Sequence, residues 1–438
     1  MKKLFILFLS VAAVIKLSAQ ANVYPAPEQK GLLYITHATI HVGNGTVIQD
    51  GTIRINNGKI EEVGTALPVP NGNVQVLDVK GKQVYPGLIQ SSVELGLVEV
   101  SSVRASSDVN EIGTINPNVR SIVAYNTDSK VINTLRNNGI LLANVVPGGS
   151  LITGSSTVVQ LDAWNWEDAA YKMDNGIHFD MPSLLARRGG RGGFGRFGQQ
   201  ASGDPVERAM TQINEVKDFF REAKAYLAET DHPHENTNLK FEAVRGLFEK
   251  KQKLFIHCDI VKQMLIAVDF VKEFGFDVVI VGGSDSWMIA DLLKQNNIPV
   301  ILNQMHSLPT MMDDDVDQPY KTPSLLQKAG VLFAINDQDD QFRGRNLAFN
   351  AGTAAAYGLS KEEALSAITL NAAKILGIDK MTGSIEKGKD ANIVVCDGDI
   401  LDMRSQIITD AFIQGRKISL DDKQKQLYER YKYKYGIQ

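Results

Sequence analysis

The chain is 438 residues long, 44% hydrophobic and 22% charged, an ordinary globular composition that excludes a disordered, collagenous or coiled-coil chain. At roughly 100–200 residues per domain, and up to about 250 for a barrel, that length suits one large domain and one small one. Lys and Arg number 46 against 50 Asp and Glu, a formal charge of -4, which gives no whole-molecule attraction to nucleic acid, and two cysteines cannot build a disulfide scaffold.

Residues 1–21 read as a signal peptide: Lys2 and Lys3 form a basic start, Leu4 to Ile15 is an uncharged apolar run, and Ala19-Gln20-Ala21 offers an A-x-A cleavage site. The protein is therefore expected to be exported, periplasmic or extracellular. No later segment is apolar enough to cross a bilayer, so no membrane attachment is expected after cleavage. Cys258 and Cys396, far apart in sequence, read as two buried thiols rather than a bridge.

From Leu32 to Val84, runs rich in Val, Ile and Thr are punctuated by Gly-Asn-Gly, Asn-Asn-Gly and Pro-Asn-Gly, which predicts antiparallel strands and tight turns. Further strands are expected at Val84–Val93, Ile140–Val146 and Thr157–Leu161. From Leu254 to Ala356 the pattern changes. Buried strands at Leu254–His257, Asp277–Val281, Pro299–Leu302 and Val331–Ile335 alternate with helical stretches such as Val261–Phe274 and Trp287–Gln295, the signature of a parallel sheet covered on both faces. Seven strand candidates in one βα domain favour a TIM-like (β/α)8 barrel over an open sheet.

Residues 187–203, rich in Arg, Gly and Phe, have too little apolar content to fold and read as a mobile surface loop. A polar helix is expected from Pro205 to Glu229. Two more, Ala348–Gly358 and Lys361–Leu376, follow the barrel, the second introduced by Ser360 with acids in its first turn. Strands at Ala391–Cys396 and Ala411–Ile413 cannot bury themselves alone. They are expected to complete the N-terminal layer, so that 22–85 and 383–438 form one small composite β-sandwich around a barrel at 86–382.

Val84-Tyr85-Pro86-Gly87-Leu88-Ile89-Gln90, together with Gly383-Ser384-Ile385-Glu386-Lys387-Gly388-Lys389-Asp390-Ala391-Asn392-Ile393-Val394-Val395, closely resembles the amidohydrolase superfamily, and in particular its imidazolonepropionase-like branch. Ala356-Tyr357-Gly358-Leu359-Ser360 and Thr369-Leu370-Asn371-Ala372-Ala373 carry the same likeness. The resemblance spans essentially the whole chain after residue 21 and implies a TIM-like barrel with a composite β-sandwich. It also implies hydrolysis of C–N bonds with one or two divalent metals, which activate water, and an aspartate at the last barrel strand that shuttles the proton.

The family's His-x-His falls on Ser92 and Glu94, and the acid before it on Gln90. Glu94 can give one oxygen ligand, contact substrate or be structural. His257 matches the fifth-strand histidine. The next strand ends in Val281-Gly282-Gly283-Ser284, without the family's histidine, and no Lys can be nominated for carbamylation. The eighth-strand aspartate aligns with Asp337, or with Asp339 if a bulge is allowed. The seventh strand's exit places Asn303 and His306 at the same mouth, and Pro147-Gly148-Gly149-Ser150 could offer backbone amides to an anion.

His232 and His234 lie in a polar stretch, His37 and His41 in the small β layer. Asp313, Asp314, Asp315 and Asp317 read as a solvated loop rather than a calcium site.

The expected catalytic set is Asp337, Glu94 and His257. Ser92, Asn303 and His306 are the expected substrate contacts. The same three catalytic residues are the candidate ligands for one divalent metal, zinc first, or for none.

Two readings follow. In the first, the chain is an exported hydrolase with a depleted metal site, cleaving an amide, non-standard or cyclic peptide-like C–N bond of a small molecule. In the second it is an inactive paralogue serving as a binding or assembly subunit. The expected partners are a small-molecule substrate and no nucleic acid, with a homo-oligomer or a complex with a metal-competent relative as the possible assemblies.

Overall fold

The computed structural model describes residues 24–437 apart from 66, 71, 73, 150, 186–203, 230–236, 304 and 338–341. The signal segment, the 187–203 loop, His232, His234, Ser150 and Asp339 lie outside the described residues.

The strands form two sheets of eight. In chain order, β1 (Leu32–His41), β2 (Val47–Asn56), β3 (Lys59–Thr65), β4 (Gln75–Asp78) and β5 (Gln83–Pro86) begin the first sheet. The second is β6 (Leu88–Val93), β7 (Ile140–Val145), β8 (Ile152–Gln160), β9 (Ala170–Asp180), β10 (Lys253–Cys258), β11 (Val278–Gly282), β12 (Val300–Leu302) and β13 (Phe333–Ile335). Then β14 (Ile393–Cys396), β15 (Ile408–Ile413) and β16 (Arg416–Lys417) return to the first.

Both ends of the chain thus share one β layer, joined where Val84, Tyr85 and Pro86 of β5 face Val395, Val394 and Ile393 of β14. Asn57 and Gly58 connect β2 to β3 with φ of 48° and 80°, the left-handed pair that a two-residue hairpin turn requires. The layer folds over because β1 gives its first half to β4 and its second half to β5. Ile35, Ile40, Ile53, Ile55, Val84 and Ile393 fill the space enclosed.

The second sheet is the barrel, with its strands in sequence order. Five of its seven neighbouring pairs run parallel as expected, but β8 runs antiparallel to both β7 and β9. The cause is the length of the connections. Residues 146–151 and 161–169 are too few for a crossover, which needs a dozen or more, so the chain turns straight back on itself. From β9 onward helices intervene: Pro205–Ala228, Val261–Phe274, Ala290–Gln295 and Gln318–Ala329. The last expected helix is two, Lys361–Ala367 and Leu370–Leu376, with the Ile368 carbonyl at the break accepting from the Ile89 amide of β6. Ser360 and Glu363 form the capping box that starts the first of them.

Buried side chains join β13 to β6 across the barrel seam. Asn336, fully buried, accepts from the amides of Ser91 (3.0 Å) and Ser92 (3.2 Å) and donates to the Ser92 carbonyl (2.8 Å) and Asn303 Oδ1 (3.2 Å). Gln90 adds a bond from its amide group to the Asp337 carbonyl at 2.8 Å.

At the other end of the barrel, buried Asp162 joins the two parts of the fold. It accepts from Arg136 Nη1 at 2.6 Å, from Arg416 Nη1 at 3.1 Å and from the Ala26 amide at 2.9 Å. Cys258 and Cys396 are both buried and unbridged.

Candidate active site

The strands β6, β7 and β9 to β13 run in one direction, so their C-terminal ends open on a common rim, the place where TIM barrels build active sites. Glu94 is the first residue after β6, His257 lies near the end of β10, and Asp337 follows β13 by two residues.

Asp337 is 2% exposed, and its Oδ2 accepts from Asn350 Nδ2 at 2.9 Å, from the helix Leu347–Ala356. Glu94 is half-buried against Gly148, where an added Cβ would come within 3.0 Å of Glu94 Oε1. Ser92 is buried in the seam with Asn336. Asn303, half-buried, also meets Asn336. His306 is exposed and turned to the rim helix, its Nε2 2.7 Å from Thr353 Oγ1.

The most developed polar arrangement surrounds His257, and part of it was not anticipated. Opposite Phe255 and His257 of β10, the partner positions on β9 are His178 and Asp180. Alternation puts 178 and 180 on one face of β9, and 255 and 257 on one face of β10. His178 is fully buried and stacks on Phe255, ring centroids 4.7 Å apart. Its Nδ1 is 2.9 Å from His257 Nε2, and its Nε2 is 2.8 Å from Ser156 Oγ.

The protons in this chain follow from its far end. The Ser156 hydroxyl donates to Asn175 Oδ1 at 2.9 Å, so it accepts from His178 Nε2–H. That leaves His178 Nδ1 as an acceptor, and His257 Nε2–H donates to it. The lone pair of His257 therefore sits on Nδ1, which faces Asp180 Oδ1 at 3.7 Å.

Burial lowers the pKa of His178 well below the ordinary histidine value, with His257 pushing the same way. Burial also lowers His257, against the pull of the Asp180 and Asp259 carboxylates. Asp180 is raised by burial, with His257 opposing. Both members of the Asp180–His257 pair are thus pushed toward their neutral forms, and at 3.7 Å the two atoms stand apart, leaving the Nδ1 lone pair open.

A catalytic zinc takes three protein ligands and a water. Among the described residues no three His, Cys, Asp or Glu side chains gather at a point that could hold a metal ion. His257 Nε2 is engaged by His178. At β11, a Cβ on Gly282 would meet Asp259 Oδ1 at 2.7 Å and one on Gly283 would meet Val300 at 2.6 Å, so the position cannot carry a larger residue without displacing its neighbours. The donors present do not fit a three-ligand centre. A cleft of about 910 Å³ opens between the barrel's far end and the β layer, among residues such as Lys30, Lys59, Asp162 and Arg416, and no histidine lines it.

The model of the amidohydrolase family matches residues 305–419, from the rim after β12 to the end of the β layer. An imidazolonepropionase from Picrophilus torridus is 38% identical over 173 residues, covering 38% of this chain and 42% of that protein. The crystal structure of an amidohydrolase from Thermotoga maritima MSB8 superposes with a TM-score of 0.76 at 25% identity, covering 88% of this chain and 99% of that one. The chain belongs to the amidohydrolase superfamily. Within it, an amidohydrolase from Hapsidospora irregularis, tasK, is 22% identical over 388 residues, which are 80% of this chain but 38% of that protein. The chain therefore spans less than half the length of either curated relative.

Proposed function

We propose that this chain is an exported hydrolase, periplasmic or extracellular, acting on an amide, non-standard or cyclic peptide-like C–N bond of a small molecule. The observation that carries this reading is the fixed chain Asn175–Ser156–His178–His257, which presents a histidine lone pair beside Asp180 at the barrel rim.

In this reading a substrate carbonyl sits over the rim. His257 Nδ1 or Asp337 takes a proton from the attacking water, the tetrahedral adduct collapses, and the proton passes to the departing nitrogen. Asn350 and Gln90 hold the Asp337 segment still while this happens. Ser92 and Asn303 lie beneath the rim, and Glu94 and His306 flank it.

The superfamily's metal enters this reading as at most one weakly held divalent ion, zinc first. Such an ion would supply an activated water, and no step above passes through it. The metal centre reads as depleted because Ser92 and Glu94 stand where the family resemblance places histidines and the strand end Val281-Gly282-Gly283-Ser284 carries none.

The test is release of free amine from cyclic dipeptides, lactams and N-acyl amino acids by the purified protein, with metal content measured on the same preparation. Turnover that falls about 10²-fold or more in His257→Gln and in Asp337→Asn supports the reading. Turnover unchanged by both substitutions would remove it.

A second reading, an inactive paralogue acting as a binding or assembly subunit, is favoured by the exposed apolar side chains Leu308, Met312 and Val316 on the rim loop. No turnover on any substrate class, with retained binding of a relative or of a second copy, would select it.

A further inference from the structure

The helix Lys423–Tyr435 is the last element among the described residues and buries none of its residues. Its hydrogen bonds to the barrel come from its first turn, where Lys425 Nζ donates to Asn137 Oδ1 at 2.6 Å and Gln424 Oε1 accepts from Thr134 at 3.5 Å. Beyond that turn, Tyr428, Tyr431 and Tyr435 share one face by their spacing and are 63%, 51% and 65% exposed.

Lys423, Lys425, Arg430, Lys432 and Lys434 stand against the single acid Glu429, in a chain whose overall charge is -4. The Lys432 ammonium lies over the Tyr428 ring at 5.5 Å and that of Lys434 over Tyr435 at 5.1 Å. A helix of this length that covers no apolar surface is marginal in water. Exposed tyrosines interleaved with cations have the composition of a protein interface.

The complementary surface is the rim loop after β12. Leu308 is 83% exposed, Met312 is fully exposed and Val316 is 74% exposed, while Asp313 and Asp315 beside them are exposed acids. The two surfaces cannot meet within one chain. The rim loop leaves the C-terminal end of β12, whereas the helix Lys130–Asn137, on which the terminal helix rests, leads into the start of β7 at the barrel's base.

We infer that two copies of this chain pair side by side in opposite directions, each laying the Tyr and Lys face of Lys423–Tyr435 on the Leu308–Asp317 loop of the other. The apolar side chains of the loop cover the tyrosine rings, and Asp313 and Asp315 face Lys432 and Lys434. An antiparallel pair satisfies both contacts and closes, whereas one contact repeated head to tail would run on into rings or filaments. This inference stands apart from the hydrolase reading and holds for an active or an inactive barrel.

Sedimentation velocity of the full purified protein over a concentration series tests it. Three variants are compared with the parent: Lys432→Glu with Lys434→Glu, Asp313→Lys with Asp315→Lys, and all four together. The parent is expected to dimerise, each pair of reversals to weaken the dimer by about tenfold or more, and the four together to restore it.

A parent that stays monomeric, a dimer untouched by either pair, or four reversals that fail to restore association would each overturn the inference. A monomeric parent that pellets with phosphatidylglycerol vesicles, and loses this in the Lys432→Glu, Lys434→Glu variant, would assign the helix to an anionic lipid surface instead.

Discussion

Two histidines in this chain are held so firmly by neighbours that their protonation can be read from geometry. His41 lies between Glu362 Oε1 at 2.6 Å and Gln83 Oε1 at 2.8 Å, and oxygen acceptors on both sides require an imidazolium. Burial alone would lower its pKa, but the hydrogen bonds to Glu362 and Gln83 outweigh this and the net shift is upward.

A raised folded-state pKa gives stability that is fully present below the ordinary value of 6.5 and is lost as pH rises through the folded value. The difference in urea midpoint between the parent and His41→Gln should therefore be largest below pH 6.5 and shrink on going alkaline; a difference that grows with pH would contradict this.

His178 behaves oppositely, because burial holds it neutral as a link between Ser156 and His257. His178→Phe keeps the stacking volume but removes both hydrogen bonds. It should lower turnover roughly 10²-fold, the range of a misplaced general acid or base, with the fold retained by circular dichroism.

His257 was legible in sequence because it ends a strongly apolar strand. His178 was not, since Lys172, Asp174 and Gly176 precede it and break the apolar run that marks the other barrel strands. The one signal available was the alternation of His178 and Asp180, which a strand places on one face.

At the scale of elements, the barrel depends on Asn336 to join its first and last strands. Asn336→Leu keeps the size of the side chain but strips the Ser91 and Ser92 amides of their acceptor inside the protein. It should cost about 2–4 kcal/mol, measured by urea unfolding. A loss below about 0.5 kcal/mol would mean that the seam closes by other contacts.

The pattern of short apolar runs located seven of the eight barrel strands and the sharing of the β layer between the two chain ends. It did not reveal that β8 runs antiparallel, because periodicity carries no direction. Only the shortness of the 146–151 and 161–169 connections does. Nor could it foresee the break at Ile368, which serves a backbone bond to β6 rather than any local preference.

For the molecule as a whole, Asp162 ties the N-terminal segment, the barrel and the last strand of the β layer through Ala26, Arg136 and Arg416. The Asp162 and Arg136 side chains are 1% and 5% exposed. Asp162→Ala leaves the buried Arg136 and the partly buried Arg416 without their carboxylate and should cost about 3–5 kcal/mol in global unfolding; loss of the β layer alone, with the barrel still folded, would show that the tie is local.

A chain of polar groups, not a gathered set of metal ligands, holds His257 at the rim. Histidine-selective 15N NMR measures this directly. The prediction is a protonated Nε2 and an unprotonated Nδ1 on both His178 and His257 at neutral pH, unchanged when zinc is added. An unprotonated His257 Nε2, or a His257 resonance that shifts at one equivalent of zinc, would contradict it.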